Sequence, residues 1–278
     1  MNISNVILIL AIGINSLWGQ HQITGVVLDG DEPLTYVNIG VIGTSVGTVS
    51  DLDGSFSLIL PAAMSLTDTL RFSRIGYQSR DVYLKEWKKG DSLRVKMLPE
   101  ISELPQVEVR PWDEVVTKGK KRTNAGLNVS FALGKQPRQN LGSEIAKKFR
   151  LKKRQGKLKS IRFFISYNDF DKVIFRIHLY QGKQSKPIKF LTAEQILVEV
   201  SDRKTGWIEV DLNPHLIPVD NDIMVGVQWI HYSGEGRLLR MPIIFPAIAG
   251  HHFYKYGSQN KWKHFRNMST NIGIEVQY

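Results

Sequence analysis

From residue 21 to the C-terminus, apolar side chains recur at every second position in short runs broken by Gly, Asp, Asn and Pro. That period constrains the fold more than any other feature of the chain. Alternation at period two puts one face of an extended strand against a core and the other toward polar surroundings, whereas a helix needs apolar residues three and four apart. Val37, Ile39 and Val41 alternate with Asn38 and Gly40, and Phe56, Leu58 and Leu60 share a face after Asp53-Gly54. The Asp-Gly pair predicts a hairpin turn, because Gly accepts the positive φ such turns demand. Leu70 and Phe72 lead into Ile75-Gly76-Tyr77, where a glycine inside a strand pattern predicts a bulge. Leu93, Val95 and Met97 form the last run of this half.

A second set of runs fills residues 127–278. It comprises Ile161, Phe163, Ile165 and Tyr167; Val173, Phe175, Ile177 and Leu179; Ile208, Val210 and Leu212; Ile223, Val225, Val227 and Trp229; and Ile272, Ile274, Val276 and Tyr278. Residues 140–152 fit either period through Ile145 and Phe149, and the surrounding strands favour a strand there. The fold class is therefore all-β, with a C-terminal antiparallel β-sandwich of jelly-roll type. Turn signals about every ten residues in 21–104 make that half a sandwich as well. The polar, Lys-rich stretch of residues 105–126 reads as a linker long enough to let the halves move.

The chain has 278 residues, 42% of them hydrophobic and 23% charged, enough for two packed domains. It has no cysteine, so apolar cores and not disulfides must hold both halves. Residues 1–20 carry an apolar run from Val6 to Ile14 followed by small or polar residues. Such a run is far short of the roughly 20 residues that span a bilayer, and it predicts a secretory signal peptide cleaved near Gly19 or Gln20. The expected location is the periplasm or the outer membrane of a Gram-negative envelope. Export makes nucleic acid an unsuitable partner.

The formal net charge of +11 is concentrated in one segment. Residues 21–110 hold 9 Lys/Arg against 12 Asp/Glu, while 118–162 hold 15 basic residues against one acid, Glu144. Lys147, Lys148, Arg150, Lys152, Lys153 and Arg154 form its densest part and are candidates for an anionic surface. The same residues also suit a solvated strand and loop.

Four motifs in order, "ITGVVLDGDEPLTYVNIGVIGT", "VGTVSDLDGSFSL", "LRFSRIGY" and "LRVKMLP", resemble the carboxypeptidase regulatory-like (transthyretin-like) domain found at the N-terminus of TonB-dependent receptors and other envelope proteins. The resemblance covers about 80 residues and implies a seven-stranded, non-catalytic sandwich acting as spacer or docking unit. The following "ELPQVEVRPWDEVVTKG" is similar to the segment that joins this domain to the plug of such receptors. A receptor barrel of 22 strands at about 10 residues each needs roughly 220 residues, and fewer than 170 follow Trp112. Gly142 to Ala146 (GSEIA) and Gly206 to Leu212 (GWIEVDL) are loosely similar to uncharacterised envelope domains, which brings no activity.

The residues themselves supply little catalytic signal. A zinc carboxypeptidase site needs a closely spaced His and Glu, and no His-x-x-Glu occurs. His231 and Glu235 are separated by a Ser233-Gly234 turn, and His251-His252 reads as a strand or loop pair. Asp51-x-Asp53-Gly54 starts like a calcium loop, but Ala62 occupies the place of the closing glutamate. No Gly-x-Ser-x-Gly elbow is present. Neither cofactor nor metal is implied.

What remains is an aromatic group comprising Trp207, His231, Tyr232, Tyr254, Tyr256 and Trp262. Ile208, Val210 and Leu212 claim the inward face, which turns Trp207 outward beside Glu209 and Asp211, a setting suited to sugar stacking. Trp207, Trp262, Tyr254 and Tyr256 are thus the ligand-binding candidates, with the sealing of sandwich edges as their bland alternative. The leading expectation is a non-enzymatic envelope module that binds glycan or an envelope protein. The alternatives are a hydrolase with a loop-built site on the C-terminal sandwich, or a small outer-membrane barrel of residues 127–278. The basic residues near 147–162, with Pro242 and Pro246, weigh against the barrel.

Overall fold

The computed structural model describes residues 21–65, 67–88, 90–100, 114–119, 126–132, 136–152, 155–182, 189–248 and 250–278. The signal-peptide reading, Lys153, Arg154 and most of the 105–126 segment lie outside these residues.

The first half is a sandwich of two four-stranded sheets. His21–Asp29 pairs antiparallel with Ser55–Leu60 and with Glu32–Pro33, and parallel with Ser92–Met97. The second sheet runs Gly47–Val49, Asn38–Val41, Thr69–Ser73, Arg80–Tyr83. That is the seven strands the resemblance implies plus the two-residue Glu32–Pro33. The alternating apolar residues meet as predicted: Ile39, Phe56, Leu58, Leu70, Phe72 and Val95 form one core, which Ile23 and Val27 join, with the Phe56 and Phe72 rings edge-to-face at 5.5 Å.

Two local expectations are corrected. Gly54 does take a positive φ of 71°, but its turn is not a hairpin. Gly47–Val49 and Ser55–Leu60 pair with other strands in different sheets, so the turn carries the chain from one layer to the other. Gly76 sits in a turn and not a bulge, because the strand Thr69–Ser73 has already ended.

In the second half, a six-stranded sheet runs Ile196–Ser201, Lys172–Gln181, Ile223–Ser233, Glu144–Phe149, His251–Lys255, Lys263–Arg266. A five-stranded sheet runs Gly206–Asp211, Gly156–Ile165, Ile272–Gln277, Val115–Lys118, with Pro218–Val219 also on Gly156–Ile165. Val115–Lys118 falls inside the expected linker, yet it is an edge strand on the last strand of the chain. Leu127–Ala132, Leu239–Ile244, Tyr167–Asn168 and Ser269–Thr270 form a small third sheet. Phe175, Ile177 and Leu179 of the six-stranded sheet share one core with Ile161, Phe163, Ile274 and Val276 of the five-stranded one. The strands of residues 127–278 therefore divide among three open sheets instead of closing into the alternative barrel.

The two halves are packed against each other. Tyr36 and Val49 of the first sandwich are buried in the core cluster of the second. Arg176 donates to the Tyr36 carbonyl, the Ser258 hydroxyl to the Ile39 carbonyl at 3.1 Å, and the Gln259 amide to Ser73 Oγ at 2.7 Å. Asp51 meets His231 at 3.2 Å and Arg138 at 3.4 Å. These contacts replace the freely moving pair that the linker's length suggested.

Candidate ligand cleft between the two sandwiches

The strand Lys172–Gln181 alternates as the sequence requires, with Val173, Phe175, Ile177 and Leu179 on the core side. Arg176, His178 and Tyr180 point the opposite way, where an exposed sheet face is expected. They are nonetheless 0%, 2% and 3% exposed. The first sandwich covers this face near Arg176, while Phe190 and Trp262 cover it near Tyr180.

Glu144, fully buried, joins them from the neighbouring side of the sheet. Its Oε1 accepts from His178 Nδ1 at 2.9 Å and from the Tyr180 hydroxyl at 2.7 Å, and its Oε2 lies 3.1 Å from Lys255 Nζ. Gly226 makes the room, since a Cβ there would sit 2.1 Å from Glu144 Oε1. Burial alone raises a carboxylate's pKa, but the interaction with His178, the Lys255 charge and the hydrogen bonds donated by His178 and Tyr180 hold Glu144 down to about 2. Burial lowers the His178 pKa despite the adjacent carboxylate, so near neutral pH the pair is a carboxylate and a neutral imidazole. An ionised carboxylate has only lone pairs to offer, so Nδ1 carries the imidazole proton and Nε2 keeps its lone pair. Burial brings Arg176 to about 10, which leaves it charged, and it donates to Gln228 Oε1 at 3.1 Å.

Beside this cluster a cleft of about 990 Å³ opens between the sandwiches. Asn38, Arg74 and Tyr77 line it from the first, and His178, Phe190 and Thr192 from the second. Among the described residues, three of the fourteen buried side-chain polar atoms without a hydrogen-bond partner belong to its lining: His178 Nε2, Asn38 Oδ1 and Arg74 Nε. Groups of this kind are able to bond a molecule that enters the cavity. Among the described residues, no group of three or more His, Cys, Asp and Glu is placed to hold a metal ion.

The first eight strands form the sandwich that the sequence motifs imply. Residues 23–109 match the CarboxypepD_reg-like domain. The N-terminal region is also similar to the TonB-dependent receptor P39 of Formosa agariphila, 34% identical over 108 residues. That match covers 38% of this chain and 9% of the receptor, so the chain spans less than a tenth of its relative. Among solved structures, the infectious bursal disease virus Gx strain matches with a TM-score of 0.23 at 8% identity, over 93% of this chain and 63% of that one. The VP2 subviral particle of the same virus matches at 0.24 and 10%, over 93% and 64%. At such scores neither likeness carries an argument about the fold.

The CarboxypepD_reg-like sandwich thus forms one wall of the cleft, while the aromatic candidates lie elsewhere. Trp207 sits on the five-stranded sheet, with the Arg162 guanidinium 4.8 Å over its ring and Phe164 edge-on at 5.4 Å. Trp262 closes a patch of Ala146, Tyr180, Met224 and Phe253 under Lys255 at 4.8 Å. Tyr254 packs against the C-terminal core and donates to the Ser130 carbonyl at 3.3 Å, and burial pushes its phenol well up. Tyr256 accepts from the Asn140 amide. These four rings form no single platform. His231 faces Asp51, not Glu235, and Tyr232 packs on Phe170 and Trp229.

The basic candidates are likewise dispersed. Lys147, counted among the surface cations, is turned inward and donates to the Thr270 and Ile272 carbonyls at 3.1 and 2.8 Å, because its strand position shares the core-facing side with Ile145 and Phe149. Lys148 faces Asp222 at 3.5 Å and Lys152 faces Glu114 at 2.6 Å, while Arg150 is exposed. Sequence reasoning passed over Arg176, His178 and Tyr180, since polar residues at alternate positions of a strand read as a solvated face. The one signal was Glu144, the lone acid in its basic segment.

Proposed function

We propose that this chain is a non-enzymatic binding module of a cell envelope, in which the CarboxypepD_reg-like sandwich and the C-terminal sandwich together hold a ligand in the cleft between them. The observation that carries this reading is the set of unpartnered, buried polar atoms that both sandwiches present at one cavity. The likeness of the N-terminal region to that of a TonB-dependent receptor supports an envelope location, as does the signal-peptide pattern of residues 1–20. The CarboxypepD_reg-like sandwich is then more than a spacer, because it supplies half of the site.

The test is a glycan array together with a pull-down of envelope proteins, using the full chain and its Arg74→Ala and Trp207→Ala variants. Binding that needs Arg74 and ignores Trp207 supports the cleft. The reverse pattern assigns binding to the outward aromatics, and binding indifferent to both overturns the reading. A second reading rests on the Glu144–His178 pair, which has the geometry of a carboxylate-oriented general base. Release of p-nitrophenol from p-nitrophenyl esters or glycosides, lost in His178→Phe, would show a hydrolase instead of a binder.

A further inference from the structure

We propose that the cleft takes a neutral, polyhydroxylated ligand of the sugar class, which donates a hydroxyl hydrogen bond to His178 Nε2 and lays a ring face on Phe190. This rests on the cleft being the ligand site and adds the chemistry of what fills it.

The argument starts from Glu144. Its carboxylate, held by Tyr180 and Lys255, accepts the hydrogen bond from the His178 Nδ1–H, which leaves Nε2 as a lone-pair acceptor. Among the described residues Nε2 has no partner. Among the same residues Asn38 Oδ1, on the facing sandwich, is a second buried acceptor without a partner, and Arg74 Nε is a buried donor without one. Two acceptors and one donor across a cavity suit a molecule whose groups both give and receive hydrogen bonds at short spacing, as vicinal hydroxyls do. A carboxylate or phosphate has lone pairs only, and would meet two acceptors with the buried Glu144 charge behind one of them. The lining itself is balanced in charge, with Arg74 and Lys189 against Glu100 and Asp220, so it favours neither a cationic nor an anionic ligand.

The apolar element is Phe190. One face of its ring stacks on Tyr180, with centroids 4.9 Å apart and planes 26° from parallel, and 38% of the residue is exposed at the cleft. Sugar C–H faces stack on such rings. Phe190 also borders His178 at 5.0 Å, and Nε2 lies beneath the surface. Contact with a ligand hydroxyl therefore requires the Phe190 ring to shift aside, after which the same ring flanks the bound sugar.

The experiment presents the full chain with three probe sets: neutral oligosaccharides, uronate-containing oligosaccharides and short peptides. It measures affinity by calorimetry and follows the ¹⁵N resonances of the His178 ring. The expected result is binding of at least one neutral oligosaccharide, displacement of the Nε2 resonance on saturation, and an affinity loss of about tenfold or more in His178→Phe and in Phe190→Ala. The second variant changes a partly exposed side chain, and the resonance shift is read on the unaltered protein, so a misfolded His178→Phe does not end the test. If only acidic sugars or peptides bind, and they need Arg74, the ligand class is wrong while the cleft survives. If neutral sugars bind with no Nε2 shift and equal affinity in both variants, recognition by His178 and Phe190 is refuted. If no probe binds in a manner that depends on Arg74, His178 or Phe190, this inference and the cleft reading fall together.

Discussion

Acidification should destabilise this protein through His252, and a single substitution should remove most of that effect. His252 lies on the strand His251–Lys255, is 2% exposed, and has an Nδ1 without a hydrogen-bond partner among the described residues. Its ring stacks on Phe265 at 5.6 Å, and Lys147 is its register partner on the adjacent strand. Burial, reinforced by His264, lowers its pKa from 6.5 to about 4. Because the folded value is the lower one, the fold favours the neutral ring. The stabilisation is fully present above pH 6.5 and is lost as pH falls from there toward 4. At about 1.36 kcal/mol per unit, the loss across that window is about 3 kcal/mol. His178, lowered in the same direction by burial, adds to the fall. Urea unfolding at pH 7, 5.5 and 4 measures it, with His252→Phe as the comparison, since an aromatic ring can keep the contact with Phe265. The variant should lose about 3 kcal/mol less than the parent over the same range. Parallel slopes for the two proteins, or a His252 ring that titrates near pH 6.5 by NMR, would refute the reasoning.

Phe56→Ala or Phe72→Ala should each cost about 3–5 kcal/mol by opening a cavity in the first core, seen as a lower urea midpoint. Gly226→Ala should cost a similar amount, about 3–5 kcal/mol, because its methyl would push the Glu144 carboxylate off His178 and Tyr180 and leave a buried charge poorly paired; a neutral result in thermal melting would show that the cluster does not depend on that space. Trp262→Ala should lower the melting temperature by roughly several degrees by uncovering Phe253 and Met224 while leaving affinity for a cleft ligand unchanged, and the opposite pairing would return the binding role to the outward aromatics. Residues 21–104 alone should melt cooperatively, though at a lower temperature than within the chain, because Tyr36 and Val49 lose the cover that the second sandwich gives them.

The layers of this molecule were legible in the sequence because strand alternation is a local property. Phe56, Leu58 and Leu60 had to share a face whatever they paired with, and so did Val173, Phe175, Ile177 and Leu179. The resemblance of residues 21–104 to a known domain was legible for the same reason, since its turns and strands are written in consecutive residues. Which strands become neighbours is not local. Asp53-Gly54 marked a turn, but only the pairing of its flanking strands with His21–Asp29 and Asn38–Val41 made that turn a crossing between sheets. The cleft cluster shows the limit most clearly. Alternation correctly turned Arg176, His178 and Tyr180 away from the core. Glu144, however, comes from a strand more than thirty residues earlier, and the cover over that face comes from Tyr36, Phe190 and Trp262. A polar strand face is cheap when water solvates it and costly when it is buried unpaired. The sequence by itself determined that the face is polar; only tertiary packing decided that it is buried, which is why its charges had to be paired.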